Sequence, residues 1–169
     1  MNYKVYDNFL PYDQFDYIAK TVVRNDFIWN FNKSVAFLED GEDPNWYFTH
    51  CFYDNGMPQC SFFNELFEFV QTPLKQKADV DIKAVLRIKS NLYPRTEKVV
   101  RHELHSDYGF FNHSCLLGIN DCDGYTIFEN GDKIESKANR MLVFDGQLQH
   151  CSTTCTDQKV RLNINCNFL

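Results

Sequence analysis

The chain has no C-x-x-C pair, no unbroken apolar run of 18 residues, no internal repeat and no excess of basic residues. Each absence removes a class of protein. Seven Cys stand at 51, 60, 115, 122, 151, 155 and 166, an odd number without finger spacing. Neither a disulfide framework nor a zinc site is expected, and reduced thiols in a cytoplasmic protein are. The opening Met1–Asp7 carries no continuous apolar stretch, so no secretory leader and no membrane span are expected. The net charge of −6 gives no support for a broad nucleic-acid-binding surface. No low-complexity linker divides the chain.

What is present is a dense aromatic and apolar content. Hydrophobic residues make up 44% and aromatics 16% of 169 residues, with sixteen Phe and nine Tyr. That is enough for one domain with its own β-rich core. Over 12–24, Phe15, Ile18, Ala19, Val22 and Val23 follow helical spacing, with Pro11 suited to the first turn. A second helix is expected over 61–71, capped by Ser61, and Thr72-Pro73 reads as the start of a further short helix. Residues 30–60 show no clear period, and Asp40–Pro44 reads as a turn. From residue 81 the period becomes two. Strands are expected over 82–93 and near 99–107, 114–119, 125–129, 133–136, 140–145 and 159–168, with turns at Asn120–Gly124 and Asn130–Asp132. Helices first and many short strands afterwards give an α+β fold. The expected architecture is a jelly roll of two packed antiparallel sheets, with the N-terminal helices on the outer face of one.

The final strand puts Val160, Leu162, Ile164, Cys166 and Phe168 on one face, and Arg161, Asn163, Asn165 and Asn167 on the other. In the strand over 82–93, Arg87, Asn91 and Tyr93 share a face, opposite Ala84, Leu86 and Ile88. Both polar faces either line a cavity or meet solvent. His105 and Asp107 stand two apart, so on a strand they share a face. With His150 they make two imidazoles and one carboxylate. That set holds Fe(II) on one side and leaves positions open for a co-substrate and O2. By itself H-x-[DE] is weak, since this composition gives roughly 0.7 chance matches. Antiparallel pairing of a strand ending at His150 with the last strand would bring His150 and Arg161 to one pocket. Arg161 is permanently charged and bidentate, which suits it to a buried carboxylate. His50, His102 and His113 read as surface or structural. Cys151 and Cys155 read as packing, as do Trp29, Trp46 and Tyr47 for the larger part. Gly124 reads as a hairpin glycine, and Arg87 and Lys89 as solvent-facing or as contacts for an anionic substrate.

Leu86–Phe168 resembles the core of the Fe(II)/2-oxoglutarate-dependent dioxygenases, most of all their small stand-alone prolyl-4-hydroxylase-like members, including phage-carried forms. The segments that carry the resemblance are Arg87–Pro94, His105-Ser106-Asp107, Asp123–Phe128, Asn139–Phe144, His150 and Arg161–Asn165. It implies a double-stranded β-helix, with 1–80 as helical support and 81–169 as catalytic core of a single domain. It implies His105, Asp107 and His150 as iron ligands. Arg161 would bind the distal carboxylate of 2-oxoglutarate, joined by Tyr93 and, in some relatives, by a residue at the place of Asn91. The implied cofactors are Fe(II), 2-oxoglutarate and O2, with ascorbate as an accessory. The implied reaction is hydroxylation with release of succinate and CO2, with a prolyl residue of a peptide or protein as substrate, in the cytoplasm of the host cell if phage-encoded. The family's second Tyr, on the strand after the H-x-D loop, has no counterpart in Leu116–Asn120. Two alternatives accompany this reading. One is oxidative dealkylation of nucleic-acid bases, whose enzymes carry an Arg where this chain has Asn167. The other is an inactive jelly-roll binding module.

Overall fold

The computed structural model describes residues 3–38, 41–42 and 45–169. Two helices, α1 (Tyr12–Val22) and α2 (Phe63–Ala78), accompany thirteen strands among these residues. The strands are β1 (Tyr3–Tyr6), β2 (Asn30–Asn32), β3 (Phe37–Leu38), β4 (Gly41–Glu42), β5 (Tyr47–Asp54), β6 (Met57–Pro58), β7 (Val85–Pro94) and β8 (His113–Gly118), followed by β9 (Cys122–Phe128), β10 (Lys133–Ser136), β11 (Met141–Asp145), β12 (His150–Ser152) and β13 (Val160–Phe168). The larger sheet runs β1-β11-β8-β13-β7-β5-β2, with β6 added beside β5. The smaller runs β10-β9-β12, and β3 pairs with β4 alone. Every paired register is antiparallel. This is the expected jelly roll.

The alternation along β7, β8 and β13 decides what lies on each side of the larger sheet. Ile88, Leu117, Ile164 and Cys166 point to one face, where they pack with Ile18, Val22, Leu66, Val70 and Leu74 of the two helices. These core side chains are fully or almost fully buried, so the helices cover the outer face as expected. The other face turns inward toward the smaller sheet. There Arg161 lies opposite Tyr93, Asn163 opposite Asn91, Asn165 opposite Lys89 and Asn167 opposite Arg87. Arg161 and the three asparagines are buried. The polar stripe is therefore an interior lining and not a solvated face.

Several expectations need correction. The second helix does not stop at 71: α2 continues through Pro73 to Ala78, and its cap position is Phe62, not Ser61. Proline removes one helical hydrogen bond, but Val70, Leu74 and Ala78 are all buried in the core, and that packing carries the helix across the break. Pro11 is the cap residue of α1, not part of its first turn. Residues 99–107 form no strand. Arg101 and His105 make only isolated bridges, to Thr153 and His150. Strand β5 went unread because Tyr47, Phe48, Phe52 and Tyr53 place rings on both faces and blur the period of two. Most of the Asp40–Pro44 turn falls outside the described residues. Gly124 lies within β9, and its φ is not positive. A side chain there would come within 2.6 Å of the Thr154 carbonyl and 2.8 Å of Arg161 Cδ. The glycine makes room for the arginine. Among the described residues, no helix is long and apolar enough to cross a membrane.

Candidate metal centre and carboxylate pocket

His105, Asp107 and His150 do come together, but not through the strand pairing the sequence suggested. His150 opens β12 in the smaller sheet, whereas Arg161 lies on β13 in the larger one. Arg161 reaches from the larger sheet to Thr126 of β9 and to Thr153 just after β12. His105 reaches the site through a reciprocal bridge, with its N–H donating to the His150 carbonyl and the His150 N–H to its own, each at 2.9 Å. The two ring centroids lie 5.0 Å apart. One ligand atom from each of the three side chains lies within 4.8 Å of the other two.

The hydrogen bonds fix which nitrogens are free. His105 Nδ1 is 3.1 Å from the Glu103 carbonyl and His150 Nδ1 is 2.8 Å from the Leu148 carbonyl. A carbonyl can only accept, so each Nδ1 carries the proton and each Nε2 keeps its lone pair for a metal. Phe144 meets the His150 ring edge to face at 4.8 Å. Burial lowers the His150 pKa, with Asp107 opposing and His105 assisting, so the ring is neutral near pH 7, as a ligand must be.

Asp107 is held by three donors. Asn165 and Asn167 donate to Oδ2 at 2.9 and 3.0 Å, and Arg87 to Oδ1 at 3.2 Å. Burial alone would raise this carboxyl, but His150, Arg87, Lys89 and the Asn165 hydrogen bond hold it well below the usual range. It is a carboxylate at any working pH. Sequence reasoning saw Asn165 and Asn167 only as part of a polar stripe. The signal was there, since they fall at i+4 and i+6 from Arg161 on the same strand face.

Arg161 is 2% exposed. Its Nη1 donates to the Thr153 carbonyl at 3.0 Å and its Nη2 to Thr126 Oγ1 at 2.9 Å. Its Nε has no hydrogen-bond partner, and no carboxylate pairs with it among the described residues. Tyr93 lies under the guanidinium at 5.6 Å from ring centroid to Cζ. The Tyr93 phenol is pushed up strongly by burial, so it stays a neutral hydroxyl. Asn91 donates to Asn163 Oδ1 at 2.8 Å, which leaves its own Oδ1 unpartnered and buried.

One cleft joins His105, Asp107, His150, Asn91 and Tyr93, lined also by Tyr47, Lys89, Leu116, Thr126 and Ser152; Arg161 is not in its lining and adjoins it through Tyr93 and Thr126. Leu116 lies where a second tyrosine was sought. Tyr47, read as packing, stacks on Tyr93 at 5.5 Å and accepts a 3.2 Å hydrogen bond from Lys89 Nζ. Burial, then Arg87, pushes Lys89 down to about 8. Arg87 is partly exposed and pairs with Asp107. His102 is not a surface residue: it is buried, bonded through Nδ1 to Ser152 Oγ at 2.8 Å, and packed on Tyr93. Trp46 is about half exposed and does not pack in the core. His50 is structural as expected, bonded to the Ile28 carbonyl and set among Phe27 and Phe52. A second cluster of ligand atoms, Cys122, Cys155 and Asp157, lies apart from this cleft. No sequence spacing marked it.

No protein-family model matches the chain, and no curated protein matches it in sequence. Solved structures do. A prolyl-4-hydroxylase from Pseudomonas putida superposes with a TM-score of 0.66 at 15% identity, covering 99% of this chain and 92% of the other. A prolyl hydroxylase from Trichoplax adhaerens, in complex with a peptide fragment of the hypoxia inducible factor oxygen degradation domain, gives 0.66 at 15% identity over 99% and 83%. The epimerase SnoN from nogalamycin biosynthesis, in complex with Fe3+, alpha ketoglutarate and nogalamycin RO, gives 0.66 at 11% identity over 99% and 78%. The backbone, with its two sheets and outer helices, thus has the fold of these prolyl hydroxylases and of the epimerase.

Proposed function

We propose that the protein is an Fe(II)- and 2-oxoglutarate-dependent oxygenase that hydroxylates a prolyl residue in a peptide or protein. The observation that carries the reading is Arg161: a buried cation with an idle Nε–H and no carboxylate partner among the described residues, set against Tyr93 and Thr126, which line the cleft of a two-His, one-carboxylate set. A buried charge without a partner is costly, and a bound dicarboxylate relieves that cost. The donor set fits iron.

His105 and His150 would hold the metal through Nε2, and Asp107 through Oδ1, since Asn165 and Asn167 both occupy Oδ2. Arg161 and the Tyr93 hydroxyl would hold the distal carboxylate of 2-oxoglutarate. When bound, Fe(II) and 2-oxoglutarate supply the oxidation: O2 gives one oxygen atom to succinate and one to the substrate, and CO2 leaves. The chain positions these groups and limits water. Phe144 and Leu116 form apolar wall beside them. Relatives in fold that act on prolyl residues, one of them in complex with a peptide, support a peptide substrate. Tyr108 and Phe110, ring on ring at 5.2 Å just after Asp107, offer an aromatic contact for a proline ring. The base-dealkylating alternative is disfavoured by Asn167, which supports Asp107 where those enzymes carry an arginine.

The test is mass spectrometry of proline-containing peptides after incubation with Fe(II), 2-oxoglutarate and O2. The expected product is a prolyl residue heavier by one oxygen, with one succinate per hydroxyl. Steady succinate formation with oxygen gained only on another residue or another molecule would discard the prolyl assignment and leave the oxygenase.

A further inference from the structure

We propose that Cys122, Cys155 and Asp157 form a second metal site, separate from the His105–Asp107–His150 centre, for a thiophilic divalent ion of the Zn(II) class. The proposal does not rest on the oxygenase reading. Cys122 opens β9, and Cys155 and Asp157 lie in the loop from β12 to β13. The two Sγ atoms and a carboxylate oxygen all lie within 4.8 Å of one another. Around a tetrahedral ion with metal–sulfur bonds near 2.3 Å, donors stand roughly 3.8 Å apart. Small side-chain rotations therefore close the site.

The carboxylate is oriented from behind. The Asp123 N–H donates to Asp157 Oδ1 at 3.0 Å. Asp123 in turn accepts from the Thr156 N–H at 2.7 Å and from the Thr156 hydroxyl. These bonds fix the loop against the start of β9, an outer shell of the kind that sets ligand direction. A disulfide would use the two sulfurs but gives no role to the carboxylate beside them. Two thiolates and a carboxylate select a thiophilic, four-coordinate ion, with water in the fourth position. Asp157 is exposed, Cys122 half-buried and Cys155 buried, so the ion would enter from solvent.

The site shares a wall with Arg161. Cys122 Sγ lies 3.4 Å from the Cβ position of Gly124, and Arg161 Cδ lies 2.8 Å from the same point. The ion would brace the loop whose Thr153 carbonyl accepts from Arg161.

Titration of reduced, metal-free protein with Co(II) tests this, read by thiolate-to-cobalt charge-transfer absorption. The His105 centre contains no sulfur and gives no such band. The expected result is a band that saturates at one equivalent, persists in His105→Ala and is displaced by Zn(II). Cys122→Ser should lose it. Outer-shell changes alone cost about 10–100-fold in affinity, so Asp157→Asn should weaken Co(II) binding by at least about 10-fold. Asp157 is exposed and Cys122 half-buried, and circular dichroism verifies that the variants fold. Absence of the band in folded, reduced wild type overturns the proposal. So does a band that is unchanged in Cys122→Ser and Asp157→Asn.

Discussion

At the residue scale the informative side chain is Arg161, a guanidinium kept in the interior by one carbonyl and one hydroxyl while its Nε–H has no acceptor. Such an arrangement costs stability in the empty protein and serves only when an anion arrives. Arg161→Met should therefore leave the melting temperature of the ligand-free protein unchanged or higher. Bound 2-oxoglutarate at 100 times its Kd should stabilise the wild type by about 2.7 kcal/mol, roughly 5–10 °C for a domain of this size. That shift should vanish in Arg161→Met, as read by differential scanning fluorimetry. A second residue-scale prediction concerns Asn165, which donates to Asp107 Oδ2. Asn165→Ala should weaken Fe(II) or Co(II) binding at the two-His, one-carboxylate centre by about 10–100-fold. Isothermal titration calorimetry measures this directly. The candidate ligands His105, Asp107 and His150, which the structure brings together, were legible in the sequence because metal-ligand chemistry restricts them to few residue types. The supporting contacts of Thr126, Thr153 and Lys89 were not, because a hydroxyl or a lysine in a strand has many ordinary uses.

At the scale of elements, the join between the N-terminal segment and the sheet depends on Asn139. It is buried, with φ +57°, and its side chain both accepts from the Leu10 N–H and donates to the Leu10 carbonyl at 2.8 Å. Asn139→Ala removes both bonds, leaves two buried backbone groups unsatisfied and puts alanine in the left-handed region. A loss of about 2–4 kcal/mol is expected, measurable by urea denaturation. Strands β7, β10 and β13 were readable because alternation and turn residues agree there. The segment 99–107 was misread as a strand. Its backbone bonds go to β12 and the following Thr153–Thr154 only at scattered points, through His102, His105 and Val100. Helix α2 was cut short because the local rule for Pro73 gave way to burial on both sides of it.

At the scale of the molecule, one core binds the helical part to the strands. Ile18, Leu66 and Val70 pack with Ile88, Leu117 and Ile164. The helices should not melt before the sheet. Circular dichroism at a helix wavelength and tyrosine fluorescence should give coincident single transitions in urea. Residues 81–169 expressed alone should fail to fold, because the outer face of the larger sheet would meet water. Separate transitions would contradict a shared core. The order of helices then strands made this architecture legible, but the way the larger sheet sets Arg161 behind Tyr93 and Thr126 of the cleft that His150 lines was not, because contact between sheets leaves no trace in sequence spacing. The central claim is that this cleft consumes 2-oxoglutarate at a metal held by His105, Asp107 and His150. The most direct measurement is succinate formed from 2-oxoglutarate by the reduced, Fe(II)-loaded protein in the presence of O2. The account predicts succinate above the protein-free background, falling by more than about 100-fold in His105→Ala and Asp107→Ala. Folded wild-type protein that forms no succinate, or variants that form it at the wild-type rate, would contradict it.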